Sequence, residues 1–115
     1  MTPSVVDASV AVKWCMPTDD ENLVLQAAEL LASYRSGTEI FVVPDLFWLE
    51  VANALWKAVI KQKIDAEAAA ESFRLVSDLK IPTISSFDLV PHALQLATTH
   101  RRTVYDSVCG FGAAC

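Results

Sequence analysis

The stretch "EIFVVPDLFWLEVANALWKAVIKQK", residues 39–63, decides how this chain is read. "EIFVVP", residues 39–44, reads as a short strand of continuous apolar kind, the pattern of one buried on both faces, and Pro44 closes it. Apolar residues then recur at helical spacing, with Asp45 as the expected N-cap. One carboxylate, Glu50, stands in that helix among Phe47, Trp48, Leu49, Val51, Leu55 and Trp56. Residues three and four apart share a helix face, so Glu50, Asn53, Lys57 and Lys61 form one stripe. The stripe is either a narrow solvated face or the wall of a groove. The other faces, with Phe47, Trp48, Val51, Ala52, Leu55, Trp56 and Val59, are expected to pack inward.

The same alternation extends on both sides. "SVVD", residues 4–7, reads as a buried strand ending on an acid, and "ASVAVKWCM" as a helix stopped by Pro17. "DDENLVLQAAELLASYRSG" is a helix with acids in its first turn, Arg35 in its last and Gly37 as its stop. After the central stretch comes a helix, "DAEAAAESFRLVSDLK", capped by Asp65, then a third short strand, "IPTIS". "DLVPHALQLATTHR" is a helix with Pro91 in its first turn, where proline is tolerated. Apolar strands alternating with helices indicate an α/β fold with a parallel sheet covered on both faces. Residues 1–115 read as a single domain, without repeats or linkers.

Composition narrows the function. Of the 115 residues, 53% are hydrophobic and only three are glycine, which excludes a disordered or collagen-like chain. The net charge of −5 rules out nucleic-acid binding by bulk charge and leaves a local basic patch or bound cations. Cys15, Cys109 and Cys115 form no close pair, so no disulfide framework is implied and a reducing cytoplasm fits. They also lack the paired spacing of a zinc site with His100. "MTPSVVDASVAVKW" is broken by Asp7 and is not a signal peptide. No apolar run reaches the roughly 18 residues of a membrane span.

Three carboxylates stand out. Asp7 ends the first strand, at the sheet edge where parallel α/β folds bind ligands. It either serves a site there, with the Ser9 hydroxyl beside it, or caps the next helix. Glu50 is the lone acid of the central helix. Asp106 follows "THRRTVY" and either opens a final helix as a cap or joins a site.

In their order and spacing, "VVDASVAVKW", "PDLFWLEVANALWKAV", "LVPHALQLA" and "HRRTVYDS" resemble the PIN-domain family, and within it the VapC-type toxins of toxin–antitoxin pairs. The resemblance runs from about Val5 to Ser107. It implies a PIN-like three-layer sandwich, with a short central parallel sheet flanked by helices. It also implies that Asp7, Glu50 and Asp106 gather at one catalytic pocket and hold Mg²⁺ or Mn²⁺, with Ser9 and Asn53 in supporting positions. The implied activity is that of a metal-dependent ribonuclease cleaving RNA phosphodiester bonds. The implied partners are a cognate antitoxin and a second copy in a homodimer, and no membrane. Carboxylate oxygens suit these hard cations. On this reading Glu50 is tolerated because it faces a metal pocket, not because its helix has a generous wet side. Lys57, Lys61, Arg101 and Arg102 then either contact the RNA backbone or are ordinary surface charge.

The family pattern continues past "YDS" through an alanine- and leucine-rich helix and a strand with a further acid. Here "VCGFGAAC" follows, so the last strand and a fourth carboxylate are expected to be missing and the domain C-terminally incomplete. Two other functions stay open. One is a catalytically impaired remnant that binds antitoxin or dimerises. The other is an aspartate-nucleophile phosphatase of the haloacid dehalogenase type, although Ser9 stands where that chemistry needs a second aspartate.

Overall fold

The computed structural model describes residues 3–16 and 21–100. Strand β1 (Ser4–Val5) leads through helices α1 (Ala8–Cys15) and α2 (Glu21–Arg35) to β2 (Phe41–Pro44). Helices α3 (Leu46–Ile60) and α4 (Ala66–Ser77) then lead to β3 (Thr83–Ile84), and α5 (Ser86–His100) follows. Among the described residues, three parallel strands in the order β1-β2-β3 are flanked by five helices, an α/β sandwich. The expected alternation is therefore the observed one. No helix among the described residues is long and apolar enough to cross a membrane.

Strand β2 is central because it alone is apolar throughout and pairs on both edges. Ser4 and Val5 lie beside Phe41 and Val42, while Val43 and Pro44 lie beside Thr83 and Ile84. Its hydrogen bonds explain how a proline sits in a central strand. Val43 and Asp45 donate toward β3, to Pro82 and Ile84 at 3.0 and 2.9 Å. The Ile40 and Val42 carbonyls accept from Ser4 and Val6 of the β1 segment. Alternation directs the missing Pro44 donor toward the β1 side, beyond Val42, the last β2 residue paired with β1, so neither paired stretch depends on it.

The core gathers around β2. Phe41 and Val43 are fully buried, together with Phe47, Val51 and Leu55 of α3 and Val76 of α4. The Phe41 ring stacks with Tyr34 at 4.5 Å and with Trp14 at 6.0 Å between centroids, which ties α1 and α2 to the sheet. The polar atoms of these rings are satisfied: Trp14 Nε1 donates to the Ala27 carbonyl at 2.7 Å and Tyr34 to the Leu79 carbonyl at 3.0 Å. Trp14 and Trp48 thus pack with the core, whereas Trp56 is exposed on α3.

Several boundaries differ from the sequence expectation. β1 stops at Val5, and Asp7 is the N-cap of α1 rather than a strand residue. α2 ends where expected, with Gly37 at φ 81° in the left-handed conformation that glycine adopts without strain. α3 and α4 are followed by left-handed residues of other types, Gln62 (φ 62°) and Lys80 (φ 52°). After α3 the Lys63 amide closes onto the Ala58 carbonyl at 2.9 Å, satisfying a helix-end acceptor.

α5 begins at Ser86, so Pro91 lies inside the helix and not in its first turn. The ring removes one backbone bond, that to the Phe87 carbonyl. The earlier start follows from Asp45. That residue sits at the N-cap position of α3 but makes no side-chain cap there. Its carboxylate instead accepts from the Ser86 amide at 2.9 Å and from the Ser86 hydroxyl, capping α5 from a distant part of the chain. These bonds hold the Asp45 carboxyl below its ordinary value, the Ser86 hydroxyl contributing most.

A carboxyl with a depressed folded-state pKa stabilises the fold above its unfolded pKa. That contribution is lost as pH falls through the folded value. Asp45→Ala is expected to cost about 1 kcal/mol at neutral pH, as a helix cap does. The melting-temperature difference from the wild type should shrink in acid. A difference of equal size at neutral pH and at pH below the carboxylate range would refute the cap.

α3 also buries a narrower face than its sequence suggests. Phe47, Val51, Leu55 and Ala58 are buried, but Leu49, Trp56 and Ile60 are 68, 57 and 62% exposed, and Ala52 is exposed too. A helix lying on the outside of a sheet covers it with one stripe only. The expectation that α3 has little wet surface is therefore corrected, and Glu50 is not explained by a lack of solvent on its helix.

Candidate functional site

Two helix starts meet beyond the C-terminal ends of the strands. The β1 segment delivers Asp7 to the start of α1, and β2 delivers α3, with Glu50 in its second turn. α1 packs against α3. Between them lies a cavity of about 340 Å³, lined by Asp7, Ala8, Ser9, Val12, Lys13, Glu50 and Ala54. Two carboxylates far apart in the chain thus wall one space.

Each is held differently. Asp7 has extended backbone geometry, φ −80° and ψ 148°, and its Oδ2 accepts from the Ser9 amide at 3.2 Å and from the Ser9 hydroxyl. The capping and site readings of Asp7 are therefore compatible: the bonds that cap α1 also fix the carboxylate at the cavity. Ser9 supports Asp7 directly. Glu50 is half-buried, between exposed Leu49 and buried Val51. Its backbone position is set by the burial of Phe47, Val51 and Leu55 on the adjoining face.

The remaining candidates are more scattered. Asn53 is exposed and is not among the residues lining the cavity; its neighbour Ala54 is. Lys57 is exposed on α3, and Lys61 is exposed at its C-cap. Asp106, Arg101 and Arg102 lie outside the described residues, as do Cys109, Cys115 and the segment expected to lack the last strand. His92 is exposed on α5. Among the described residues no three His, Cys, Asp or Glu side chains converge as a metal-holding group.

One wall residue was not singled out from sequence. Lys13 is half-buried, and its ammonium donates to the Ser9 carbonyl at 3.2 Å. Its spacing of four from Ser9 was the available signal.

The donor set has a clear chemical character. Two carboxylates and a hydroxyl are hard oxygen donors, and among the described residues no thiolate or imidazole lines the cavity. That set suits Mg²⁺ or Mn²⁺, which accept few protein oxygens and retain water. Without a cation, two like charges at one cavity repel each other.

The PIN domain family model matches residues 4–111. The chain belongs to the PIN domain family. PIN domains are typically nucleases and generally use divalent metal ions, in keeping with the oxygen donors of this PIN domain's cavity. The comparison with curated proteins yields no match.

Proposed function

We propose that this chain is a metal-dependent endoribonuclease that cuts RNA phosphodiester bonds at the Asp7–Glu50 cavity. The observation that carries the reading is that these two carboxylates wall the same space at the strand ends. Asp7 and Glu50 would hold Mg²⁺ or Mn²⁺, with Asp106 as the third ligand. A bound divalent ion there would acidify a water and offset charge on the phosphate oxygens.

The chain's own residues supply the rest. Ser9 orients the Asp7 carboxylate by two hydrogen bonds. Lys13 brings positive charge to the wall of an otherwise acidic cavity. Lys57, Lys61, Arg101 and Arg102 would add contacts to the RNA backbone, and Asn53 a polar neighbour to Glu50.

The proposed setting is the cytoplasm, as the VapC-type toxin of a toxin–antitoxin pair, with 1–115 acting as one domain. Exposed Leu49, Trp56 and Ile60 on α3 support a protein partner, either the antitoxin or a second copy in a homodimer. A phosphatase of the haloacid dehalogenase type fits less well. Ser9, standing where a second aspartate would act, is engaged with Asp7.

The test is cleavage of end-labelled RNA by the purified chain. Cleavage is expected with Mg²⁺ or Mn²⁺, to cease with EDTA and to return when metal is restored. A phosphate monoester should stay intact under the same conditions. Cleavage indifferent to EDTA refutes the metal mechanism. Antitoxin capture without any cleavage establishes the impaired-remnant reading instead.

A further inference from the structure

Ser9 and Lys13, one turn apart on α1, belong to the walls of two cavities. The first is the carboxylate cavity. The second, about 380 Å³, is lined by Ser9, Val10, Lys13, Gln26, Ala27 and Leu30, between α1 and α2. The two residues form a ridge with a cavity on either side. Each cavity is of a size that takes a small molecule, roughly 300–1,000 Å³.

Their chemistry differs. The first holds two carboxylates beside Lys13. In the second, Lys13 is the sole charged wall residue among the described residues, Gln26 offers an amide, and Val10, Ala27 and Leu30 are apolar. The bond to the Ser9 carbonyl keeps the Lys13 ammonium on the ridge itself. An anionic strand leaving the carboxylate cavity therefore meets a cation held by the Ser9 carbonyl, and then a space lined by three apolar side chains and one amide.

We infer that, given the nuclease reading on which this rests, the RNA strand crosses α1 at this ridge. Lys13 binds the phosphate next to the one that is cut. The α1–α2 cavity receives the adjoining nucleoside, its apolar faces against Val10, Ala27 and Leu30 and its polar edge toward Gln26. Lys13 is thus a positioning residue, and Gln26 bears on base preference. Because a base in a duplex is stacked and paired, the cavity takes one only from an unpaired stretch of the strand.

The experiment measures binding of a short fluorescein-labelled single-stranded RNA by anisotropy, across a salt series, in an Asp7→Asn background that arrests cleavage. Lys13→Met is expected to weaken binding about tenfold at low salt, the size of one charge-assisted contact. It should also reduce the slope of log K against log salt by about 0.7, one phosphate on a single strand. Lys13→Arg should restore both. With Asp7 intact, Lys13→Met should raise KM for cleavage and leave kcat nearly unchanged. Gln26→Ala should alter the ranking of the four homopolymer RNAs without altering the salt slope. Equal melting temperatures would exclude misfolding as the cause.

An unchanged affinity and slope in Lys13→Met overturns the inference, as does equal binding of duplex RNA. Cleavage that survives Asp7→Asn is a separate result: it overturns the active-site reading. The two failures are therefore distinguishable.

Discussion

Asp7→Asn is expected to lower metal-dependent RNA cleavage by at least about 100-fold, because even residues behind a metal ligand are worth roughly 10–100-fold. The substitution is well suited to the question. Asparagine caps helices about as well as aspartate. The bonds from the Ser9 amide and hydroxyl can be kept, and α1 should start where it does now. What is lost is the negative charge at the cavity wall, and with it the attraction for a divalent cation. The melting temperature should stay close to that of the wild type. Asp7→Ala removes the cap as well and should lower stability by about 1 kcal/mol. The measurement is the initial rate of single-stranded RNA cleavage across a Mg²⁺ titration. Full activity in a folded Asp7→Asn protein would remove Asp7 from the chemistry and leave it a helix cap. Glu50→Gln should behave like Asp7→Asn, since Glu50 walls the same cavity.

Phe41→Ala is the second large effect, and it falls on stability. The Phe41 side chain is 0% exposed at the centre of the sheet, stacked with Tyr34 and Trp14. Truncating such a ring costs about 3–5 kcal/mol, through lost transfer free energy and the cavity left behind. A domain of this size is stable by about 5–15 kcal/mol, so one substitution would consume much of the margin. Urea unfolding followed by tryptophan fluorescence gives the number, and Trp14 reports directly on the site. A loss under about 1 kcal/mol would contradict the packing described for β2. Phe41→Leu, which keeps most of the volume, should cost considerably less.

Much of this fold is legible in the residues because its signals are local. Phe41 to Pro44 is a continuous apolar run, and the helix after it carries a 3.6-residue period that a strand cannot use. Asp65 announces α4 and caps it through the Ala68 amide at 2.7 Å, and Gly37 follows α2. Where the signal is not local, the reading goes astray. Gln62 and Lys80 take the left-handed conformation that glycine would have advertised. Asp45 looks like the cap of the helix it precedes, but its carboxylate reaches across to Ser86, which no spacing rule relates to it. The exposure of Leu49, Trp56 and Ile60 is hidden in the same way, since periodicity gives the faces of a helix and not the one that meets the sheet.

By itself, then, the order of residues determined the parallel α/β alternation, the single carboxylate on α3, and the acid at the end of the first apolar run. Each of these is encoded within a few neighbouring positions. Tertiary structure alone decided that Asp7 and Glu50 share a cavity, that Lys13 stands on the ridge between that cavity and a second, and that Asp45 caps α5. The physical reason is that such pairings depend on how the helices lie against one another and against the sheet, an orientation chosen by burial of the β2 core rather than by any local pattern.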